Sequence, residues 1–490
     1  MNRPQLCLTL TGTSIQEDYE LVEKYKSEID MVELRVDLLS SISPEDIGDF
    51  PAKIDFPCIL TIRRTVDGGK YSDSEENRKL LFCKIFSECG IKTFSYVDFE
   101  DNFYDENLTA HVSALNIKVI RSMHDFKNPV LNIVEKVNEL SKNNEIPKIA
   151  FMPSSLSDVT NLFIEAKKIN KEHILLAMGP YGIPSRILAA KLGNLLTFSS
   201  PANPELQSLA HIDPVKMNAV YNFRNITAQT KVFGITGFPL AATSSPELHN
   251  AGYKKNNIDA VYIPVKAENI EEALAFNEVT GITGMSVTIP HKQKVIPFLK
   301  KITDEAENIE ACNTIVKKSD GWYGYNTDAP GFSKSLLEFT GLKDLTGKKF
   351  AIIGAGGASC AVIYAVYKLG GKACIFNRTV SKAEVLAKKY GFEYAELSEN
   401  SIQKLKEYSD IIIQTTSKGM KSDEPANPEN DPIFFYDFNG SEMVFDIVYV
   451  PEVTPIMARA EKAGCKTING FDMLRYQGYE QFNLFTGKDY

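Results

Sequence analysis

The sequence predicts an α/β protein, an N-terminal (β/α)8 barrel followed by a two-part α/β region that ends in a doubly wound domain. Three observations predict it. Short β-branched or apolar runs alternate with longer amphipathic stretches through the first ~225 residues, the rhythm of βα units round a parallel sheet. Eight such runs occur there, the number that a closed barrel needs. Further on, KKFAIIGAGGASCAVIYAVYKLG from Lys348 gives a strand, a glycine turn and a helix in immediate succession.

A chain of 490 residues, 43% hydrophobic and 24% charged, has the balance of soluble globular proteins and the length for two or three domains of ~150 residues. Each can bury a core, which excludes disorder, collagen-like repeats and a disulfide-stapled miniature. The 54 Lys and Arg against 63 Asp and Glu give a net charge of −9, which opposes nucleic-acid binding and leaves small anions as partners. Eight cysteines, at 7, 58, 83, 89, 312, 360, 374 and 465, form no C-x-x-C pair, so reduced thiols and no metal site are expected. The opening MNRPQLCLTLTG is too short in apolar residues for a signal peptide, and no window approaches the ~20 that span a bilayer. A cytoplasmic chain without membrane contact is the expectation.

The eight runs are CLTLTG from Cys7, MVELRVD from Met31, CILTIRR from Cys58, FSYVDFE from Phe94, KVIRSMHDF from Lys118, KIAFMP from Lys148, HILLAMG from His173 and NLLTFSS from Asn194. The polar segment NFRNITAQT from Asn222 is a linker, which sets a barrel over 1–225. VYIPV and GMSVTIP supply strands of a smaller unit over 231–335, the glycine turn falls in a domain over 336–470, and a terminal helix over 471–490 returns to the smaller unit. No fixed-period repeat occurs, and KSDEPANPENDP from Lys421 is a polar loop.

Within a barrel, an inward lysine on a strand is driven toward the neutral amine by desolvation, and a neutral amine attacks a ketone to form an imine. Lys148, opening KIAFMP, is the candidate, and the adjacent carbon of such an imine becomes acidic. His124, near the end of the preceding strand, can take that proton and return one to a departing hydroxyl. Alone, either residue fits an ordinary strand-start lysine or a satisfied loop histidine. Glu33, Arg35, Arg63, Met178 and Arg186 also fall at or just beyond strand ends, where arginine can grip a carboxylate through paired hydrogen bonds.

VELRVDLL, TIRRTVDGGKY, MHDF, PKIAFMP and AMGPYGIPSR together resemble the type I 3-dehydroquinate dehydratases through almost all of the barrel. The resemblance implies Lys148 as the imine-forming residue, His124 as acid–base, and Glu33, Arg35 and Arg63 in the substrate network. Arg186 would anchor the carboxylate, with Met178 beside the imine, for syn loss of water from 3-dehydroquinate. Two departures stand out. Asp67 replaces the family's glutamate that supports the histidine, and SSPANPELQ from Ser199 replaces its Ser-Ala-Pro-Gly-Gln lid, with Gln207 as the closing residue.

GAGGAS from Gly354 lies between a strand and an apolar helix, the context of a Rossmann phosphate-binding turn. The next strand, KACIFNRT, ends without the acidic residue that binds a ribose 2′-hydroxyl, and Arg378 with Lys382 suits a 2′-phosphate, so NADP is favoured over NAD. Upstream, Thr243, Ser245, Lys292, Asn326 and Asp328 offer hydroxyls and a lysine–aspartate pair able to pass a proton to a carbonyl oxygen. Singly, these are turn residues and a surface ion pair.

GFPLAATSSPELHN, GMSVTIPHK, ACNT, GYNTDAPG, GAGGAS, NRTVSKA, DIVYVPEVTP and GFDMLRYQGYEQF together resemble shikimate dehydrogenases from about residue 231 to the terminus. The resemblance implies Lys292 and Asp328 as the catalytic pair, and Thr243, Ser245, Ser286, Thr288, Asn313 and Gln477 as substrate ligands. NADP would lie against Gly354, Ala355, Gly356, Gly357, Ala358, Asn377, Arg378, Thr379, Lys382 and Tyr449. Thr243 and Ser286 stand where the family often has serine and asparagine. The two halves make a chemical sequence in the shikimate pathway of aromatic amino acid biosynthesis: dehydration of 3-dehydroquinate to 3-dehydroshikimate, then reduction to shikimate. The competing expectations are an NAD-dependent catabolic quinate/shikimate dehydrogenase with dehydratase, and a non-catalytic metabolite sensor on the same folds.

Overall fold

The computed structural model describes residues 3–490 except Ile91, Asn203, Ala241, Ala242, Lys421 and Asp423, and leaves out the side chains of Asn143 and Glu205. Parts of three segments singled out above, SSPANPELQ, GFPLAATSSPELHN and KSDEPANPENDP, therefore lie outside the described residues. The chain forms two compact units, Met1–Ile282 and Thr283–Tyr490.

The first unit opens with eight parallel strands: β1 (Gln5–Thr9), β2 (Met31–Arg35), β3 (Cys58–Thr61), β4 (Tyr96–Glu100), β5 (Lys118–Asp125), β6 (Ile146–Phe151), β7 (Ile174–Ala177) and β8 (Leu196–Ser199). Their order is β7-β6-β5-β4-β3-β2-β1-β8, so each strand lies beside its sequence neighbour and β8 returns to β1. Each run expected from the sequence overlaps one of these strands, and β1 and β6 begin two residues before their runs. Lys148 is the third residue of β6 and does not open it, because Ile146, buried among the other inward apolar residues, already belongs to the ladder.

Side chains alternate across a strand, and that alternation stacks the interior in layers. Met31, Ile59, Ile120, Ile146 and Ile174 form an apolar floor. Two residues further along β2, β3, β5 and β6 come Glu33, Thr61, Ser122 and Lys148, and two further still Arg35, Arg63, His124 and Ala150, while β4 adds Asp98 and Glu100 two and four residues beyond Tyr96. Functional groups thus gather toward the C-terminal ends of the strands. The outward faces carry Leu8, Val32, Leu34, Leu60 and Val97, covered by helices such as Glu75–Ser87 through Phe82, Ile85 and Phe86.

At the β7/β8 seam a side chain completes the backbone pairing. Asn194, 3% exposed, accepts from the Leu175 amide at 2.9 Å and donates to the Leu175 carbonyl at 2.8 Å, while the Leu195 amide donates to the His173 carbonyl at 2.9 Å. The unit continues with β9 (Lys231–Gly237) and β10 (Ala260–Lys266), a parallel pair. Helix Ile270–Thr280 packs on helix Leu156–Ala166, with Phe276 edge-on to Phe163 at 5.5 Å.

The second unit contains β11 (Ile282–Val287), β12 (Lys301–Ile302), β13 (Thr314–Lys318) and β14 (Gly321–Tyr325), in which β13 pairs antiparallel with both β11 and β14, and β12 runs parallel to β14. There follows an all-parallel sheet of β15 (Lys349–Ile353), β16 (Lys372–Asn377), β17 (Glu393–Glu396), β18 (Ile411–Gln414), β19 (Met443–Asp446) and β20 (Lys466–Ile468). Its order, β17-β16-β15-β18-β19-β20, reverses direction at β15, the doubly wound arrangement that leaves a crevice at the strand ends. Apolar clusters cover both faces, one built on Phe350, Ile352 and Val362, the other on Ile353, Phe376 and Ile412. Helix Phe471–Thr486 lies on helix Asp328–Thr340, close enough at Gly331 that a Cβ there would come within 2.7 Å of the Gln477 amide. No helix among the described residues is long and apolar enough to cross a membrane.

Replacing Asn194 with Ala strands a buried amide and a buried carbonyl at the seam. The expected cost to the barrel's stability is about 2–4 kcal/mol, read as a lowered unfolding midpoint in denaturant; an unchanged midpoint would mean that the seam is closed without this side chain.

Candidate active sites

A cavity of about 230 Å3 occupies the C-terminal end of the barrel and is lined by Glu33, Arg35, Arg63, Asp67, His124, Lys148, Met178 and Arg186, among others. Lys148 is 4% exposed. Its Nζ lies 2.9 Å from Asp98 Oδ2, 4.0 Å from Glu33 Oε1 and 4.4 Å above the Phe198 ring. Desolvation of this amine is therefore accompanied by pairing with carboxylates.

Arg63 reaches Asp98 at 2.9 Å, Glu100 at 3.5 Å and the Ser122 hydroxyl at 3.0 Å, and Ser122 in turn donates to Asp98 at 2.5 Å. Arg78 holds the other side of Glu100 at 2.7 Å, and Glu33 accepts from the hydroxyls of Thr9 and Thr61. Three cations, Arg63, Arg78 and Lys148, are thereby balanced by Glu33, Asp98 and Glu100. Burial alone would push the Asp98 carboxyl up, but Arg63 and Lys148 hold it well below the usual carboxylate range.

Burial pulls the His124 imidazole well below its ordinary value, reinforced by the charges of Arg63 and Lys148. Its Nδ1 lies 3.4 Å from Arg63 Nη1, and a guanidinium can only donate, so this contact also disfavours a protonated ring. Arg35 is taken up by a two-pronged bond to Asp37, at 2.9 and 2.8 Å. Arg186 differs from the other cations. It donates to the carbonyls of Leu209 at 2.8 Å and Phe198 at 3.3 Å, its buried Nε has no partner, and among the described residues no carboxylate pairs with it. Burial without a counter-ion lowers it to about 9. A buried guanidinium of this kind has the shape and charge to pair with a carboxylate.

One expectation needs correction, at Gln207, and the reading of Asp67 becomes more specific. Asp67 lines the cavity, but its carboxylate is held by Arg64 Nε at 2.6 Å, and no bond to His124 is present. Being one methylene shorter than glutamate, it closes on its own turn, Thr65–Asp67, and leaves the histidine to Arg63. Gln207 is exposed and absent from the cavity wall, because the short helix Pro204–Ser208 turns it outward while Leu206 and Leu209 turn in, followed by His211. Asp98, Glu100, Ser122 and His211 were not singled out from the sequence. The first three share the inward alternation of His124 and Lys148, a signal that becomes legible only once strand register is known.

Further along the first unit, Thr243 Oγ1 donates to Ser245 Oγ at 3.0 Å and accepts from the Ser245 amide at 3.2 Å, at the start of helix Ser245–Lys255. In the second unit Lys292 Nζ lies 2.6 Å from Asp328 Oδ2. The other oxygen of Asp328 accepts from Asn313 Nδ2 at 2.8 Å, and Asn326 caps the helix Asp328–Thr340 by accepting from the amides of 328 and 329. That helix start favours a negative Asp328. Asn313 also bonds Thr327 and reaches Gln477 at 3.5 Å, and Ser286 donates to Gln481 at 2.8 Å. Thr288, half-buried just past β11, accepts from the His291 amide through its carbonyl. Thr327 and Gln481 complete this network without having been expected.

The nucleotide turn fits a dinucleotide phosphate. Gly354 has φ +112, and a Cβ there would meet Thr415 Oγ1 at 2.6 Å, so only glycine forms this bend. A Cβ at Gly357 would meet open space and one at Gly356 only Ser359 Oγ at 4.0 Å, which leaves room for a ligand against the backbone. The amide of Ala355 is fixed by Asn377 Oδ1 at 3.2 Å and that of Gly356 by Ser359 Oγ at 2.6 Å, while Gly357 and Ala358 open the helix Gly357–Lys368, where amides lack intrahelical partners. Arg378, Thr379 and Lys382 are exposed beyond β16, and the two cations form no ion pair among the described residues. Tyr449, half-buried beyond β19, has its hydroxyl pushed up by burial.

Type I 3-dehydroquinases match residues 6–228, the shikimate dehydrogenase substrate binding domain matches residues 235–315, and the shikimate / quinate 5-dehydrogenases match residues 337–469. A chloroplastic bifunctional 3-dehydroquinate dehydratase/shikimate dehydrogenase of Arabidopsis thaliana is 32% identical over 524 residues, covering 99% of this chain and 82% of that protein. A shikimate dehydrogenase (NADP(+)) of Carboxydothermus hydrogenoformans is 38% identical over 54% of this chain and 94% of its own length. Among solved structures, the dehydroquinate dehydratase and shikimate dehydrogenase from S. pombe AroM is similar over 100% of this chain and 96% of its own, at 24% identity and a TM-score of 0.45.

The state of His124 can be read directly. In a pH titration of ring-labelled histidine followed by NMR, its signal is expected to remain that of a neutral ring through pH ~6.5, where an unperturbed imidazole is half protonated. The folded value lies below the unfolded one, so this residue's contribution to stability is complete above pH ~6.5 and is lost as pH falls from there toward the folded value. A midpoint at or above ~6.5 contradicts the geometry.

Proposed function

We propose, for a chain that belongs to the bifunctional 3-dehydroquinate dehydratase/shikimate dehydrogenase family, that Lys148 and Lys292 carry its two reactions. Lyase and oxidoreductase activities of the shikimate pathway come with that family. In the barrel, Lys148 passes a proton to neutral His124, its free amine adds to the ring ketone of 3-dehydroquinate, and the returned proton lets the carbinol hydroxyl leave as water, giving a protonated imine. The observation that carries this reading is a buried lysine paired with Asp98 in a cavity that also holds a buried arginine, Arg186, with no counter-ion among the described residues. Asp98 and Glu33, which face the ammonium in the free protein, equally face the iminium, so the positive charge moves little and few dipoles must reorganise. Arg186 takes the substrate carboxylate. Neutral His124 removes the proton next to the imine carbon and returns it to the departing hydroxyl, which leaves as water; a second water then hydrolyses the imine and frees Lys148.

In the second unit Lys292 hands a proton to the ketone oxygen of 3-dehydroshikimate, and Asp328, held by Asn313 and by its helix start, keeps that ammonium in place. NADPH supplies the hydride when bound. Its pyrophosphate fits the open backbone at Gly356 and Gly357, and Arg378 with Lys382 suits the 2′-phosphate, in keeping with the NADP(+) in the name of the Carboxydothermus relative. Eight free cysteines support a reducing, cytoplasmic setting.

With 3-dehydroquinate as the only substrate, the wild type is expected to oxidise NADPH. Lys148→Ala abolishes that oxidation and the borohydride-trapped adduct together, yet the same preparation still oxidises NADPH when given 3-dehydroshikimate. Dehydration retained by the variant rules out the imine. Replacing Arg378 with Ala should raise the KM for NADPH by about tenfold to a hundredfold while leaving NADH kinetics within about twofold; an equal change for both cofactors assigns the 2′-phosphate elsewhere.

A further inference from the structure

We infer that Tyr181 is a positioning residue for Arg186, held from outside the barrel by Glu268 and Lys266 of the stretch that matches the dehydrogenase substrate-binding domain. This rests on the dehydratase reading above. Arg186 lies on the helix Gly179–Ile187, which has little of its own to fix it. Gly179 opens the helix at φ +68, and Pro184 has no amide, so the bond from residue 184 to the Pro180 carbonyl cannot form. The helix is therefore placed by what it touches.

One line of contact runs along β7. A Cβ on Gly182 would overlap the Ala177 carbonyl, so only glycine lets the helix lie this close. Ser185 Oγ accepts from the Ala177 amide at 3.1 Å and donates to the Gly182 carbonyl at 2.7 Å. At ~100° per residue, Tyr181 and Arg186 lie about 140° apart round the helix, with Ser185 and Gly182 between them. The contact line is thus a pivot with one of these two side chains on either side. Arg186 turns to the cavity, and Tyr181, 8% exposed, turns to the end of β10.

There the Tyr181 hydroxyl donates to Glu268 Oε1 at 2.6 Å, and Lys266 Nζ, on the last residue of β10, lies 4.5 Å above the Tyr181 ring. Burial and the Glu268 bond push the ionisation of the hydroxyl up, which keeps it a donor. On the opposite side, the guanidinium donates only to the Leu209 and Phe198 carbonyls among the described residues. Rotation of the helix about its pivot would turn that fork away from a bound carboxylate, and a paired arginine–carboxylate bond tolerates little misplacement. The Glu268 bond resists that rotation, so two residues of the dehydrogenase half support the substrate grip of the barrel.

The test assays Tyr181→Phe, Glu268→Ala, Glu268→Gln and the double variant Tyr181→Phe/Glu268→Ala, each in the full chain, for dehydratase kcat and KM and for borohydride trapping at saturating 3-dehydroquinate. Tyr181→Phe and Glu268→Ala are each expected to raise KM by about threefold to tenfold, with kcat and trapping within about twofold, and the double variant is no worse than either alone. Glu268→Gln, which still offers an oxygen to the hydroxyl, recovers most of the loss. In an Arg186→Ala background, Glu268→Ala changes KM by less than about twofold, because the group it positions is gone. The proposal is overturned, with the imine left intact, if either single variant keeps a wild-type KM, if the double variant is additive, if glutamine is no better than alanine, or if the full effect persists without Arg186. Absence of dehydration and of the trapped adduct in the wild type itself overturns the dehydratase reading and this inference with it.

Discussion

Charge buried inside a barrel must be neutralised at contact distance, and this constraint organises the first unit. A lone ammonium moved into such an interior loses several kcal/mol of hydration, so Lys148 exists there only because Asp98 and Glu33 accompany it. Those carboxylates must be matched in turn. Arg63 shares Asp98 with the lysine and also meets Glu100, and Glu100 calls for Arg78. Ser122, Thr9 and Thr61 satisfy the remaining oxygen lone pairs. A fully connected network of this kind is rigid, and truncating one member would leave an uncompensated charge costing about 3–5 kcal/mol. Arg186 breaks the rule of pairing, which is why its environment weakens its own protonation and why a carboxylate ligand would relieve it.

The second unit solves an analogous problem with amides in place of arginines. Asn313, 3% exposed, donates to Asp328 and Thr327 and accepts from the Thr327 amide, so one side chain fixes both the carboxylate and the turn that carries it. The Asn326 cap then starts the helix at the residue where a negative charge is favoured. Little of this orientation depends on long-range charge, because neutral hydrogen bonds hold the aspartate and leave Lys292 as its sole ion-pair partner among the described residues.

Much of the architecture could be read from the sequence because its signals are local. Each of the eight β-branched runs is bounded by amphipathic stretches, and the glycine turn follows its strand directly, so element type and order needed no knowledge of tertiary contacts. Strand ends did need it: Ile146 looked like a flank of KIAFMP until its pairing with Ile120 made it the first rung of β6. Site residues divided in the same way. Lys148, His124, Lys292 and Asp328 lie in distinctive motifs, whereas Asp98 sits in FSYVDFE as an ordinary strand acid and is revealed only by the register that brings it to Lys148. His211 and Gln207 show a second limit. The loop after β8 has no period, so spacing could not tell which polar residue turns inward, and a short helix with a left-handed Ala210 decides it. Asp67 shows a third limit, because the motif identifies the shorter side chain but not that a neighbouring arginine holds its carboxylate.

The two reactive lysines invite comparison, since each is an ammonium within 3 Å of an aspartate. Their surroundings differ in one respect that matches their proposed tasks. The Lys148 side chain is 5% exposed and its Asp98 partner 1%, whereas Lys292 and Asp328 are 18% and 13% exposed. A lysine that must bond covalently to a ketone benefits from exclusion of bulk water, which would otherwise hydrolyse the imine before the proton next to it is removed. A lysine that only donates a proton must be recharged after each turnover, and contact with solvent provides the proton. Burial of one pair and partial exposure of the other therefore fit the two proposed roles: the same side chain would serve as a nucleophile where water is shut out and as a proton carrier where it is admitted.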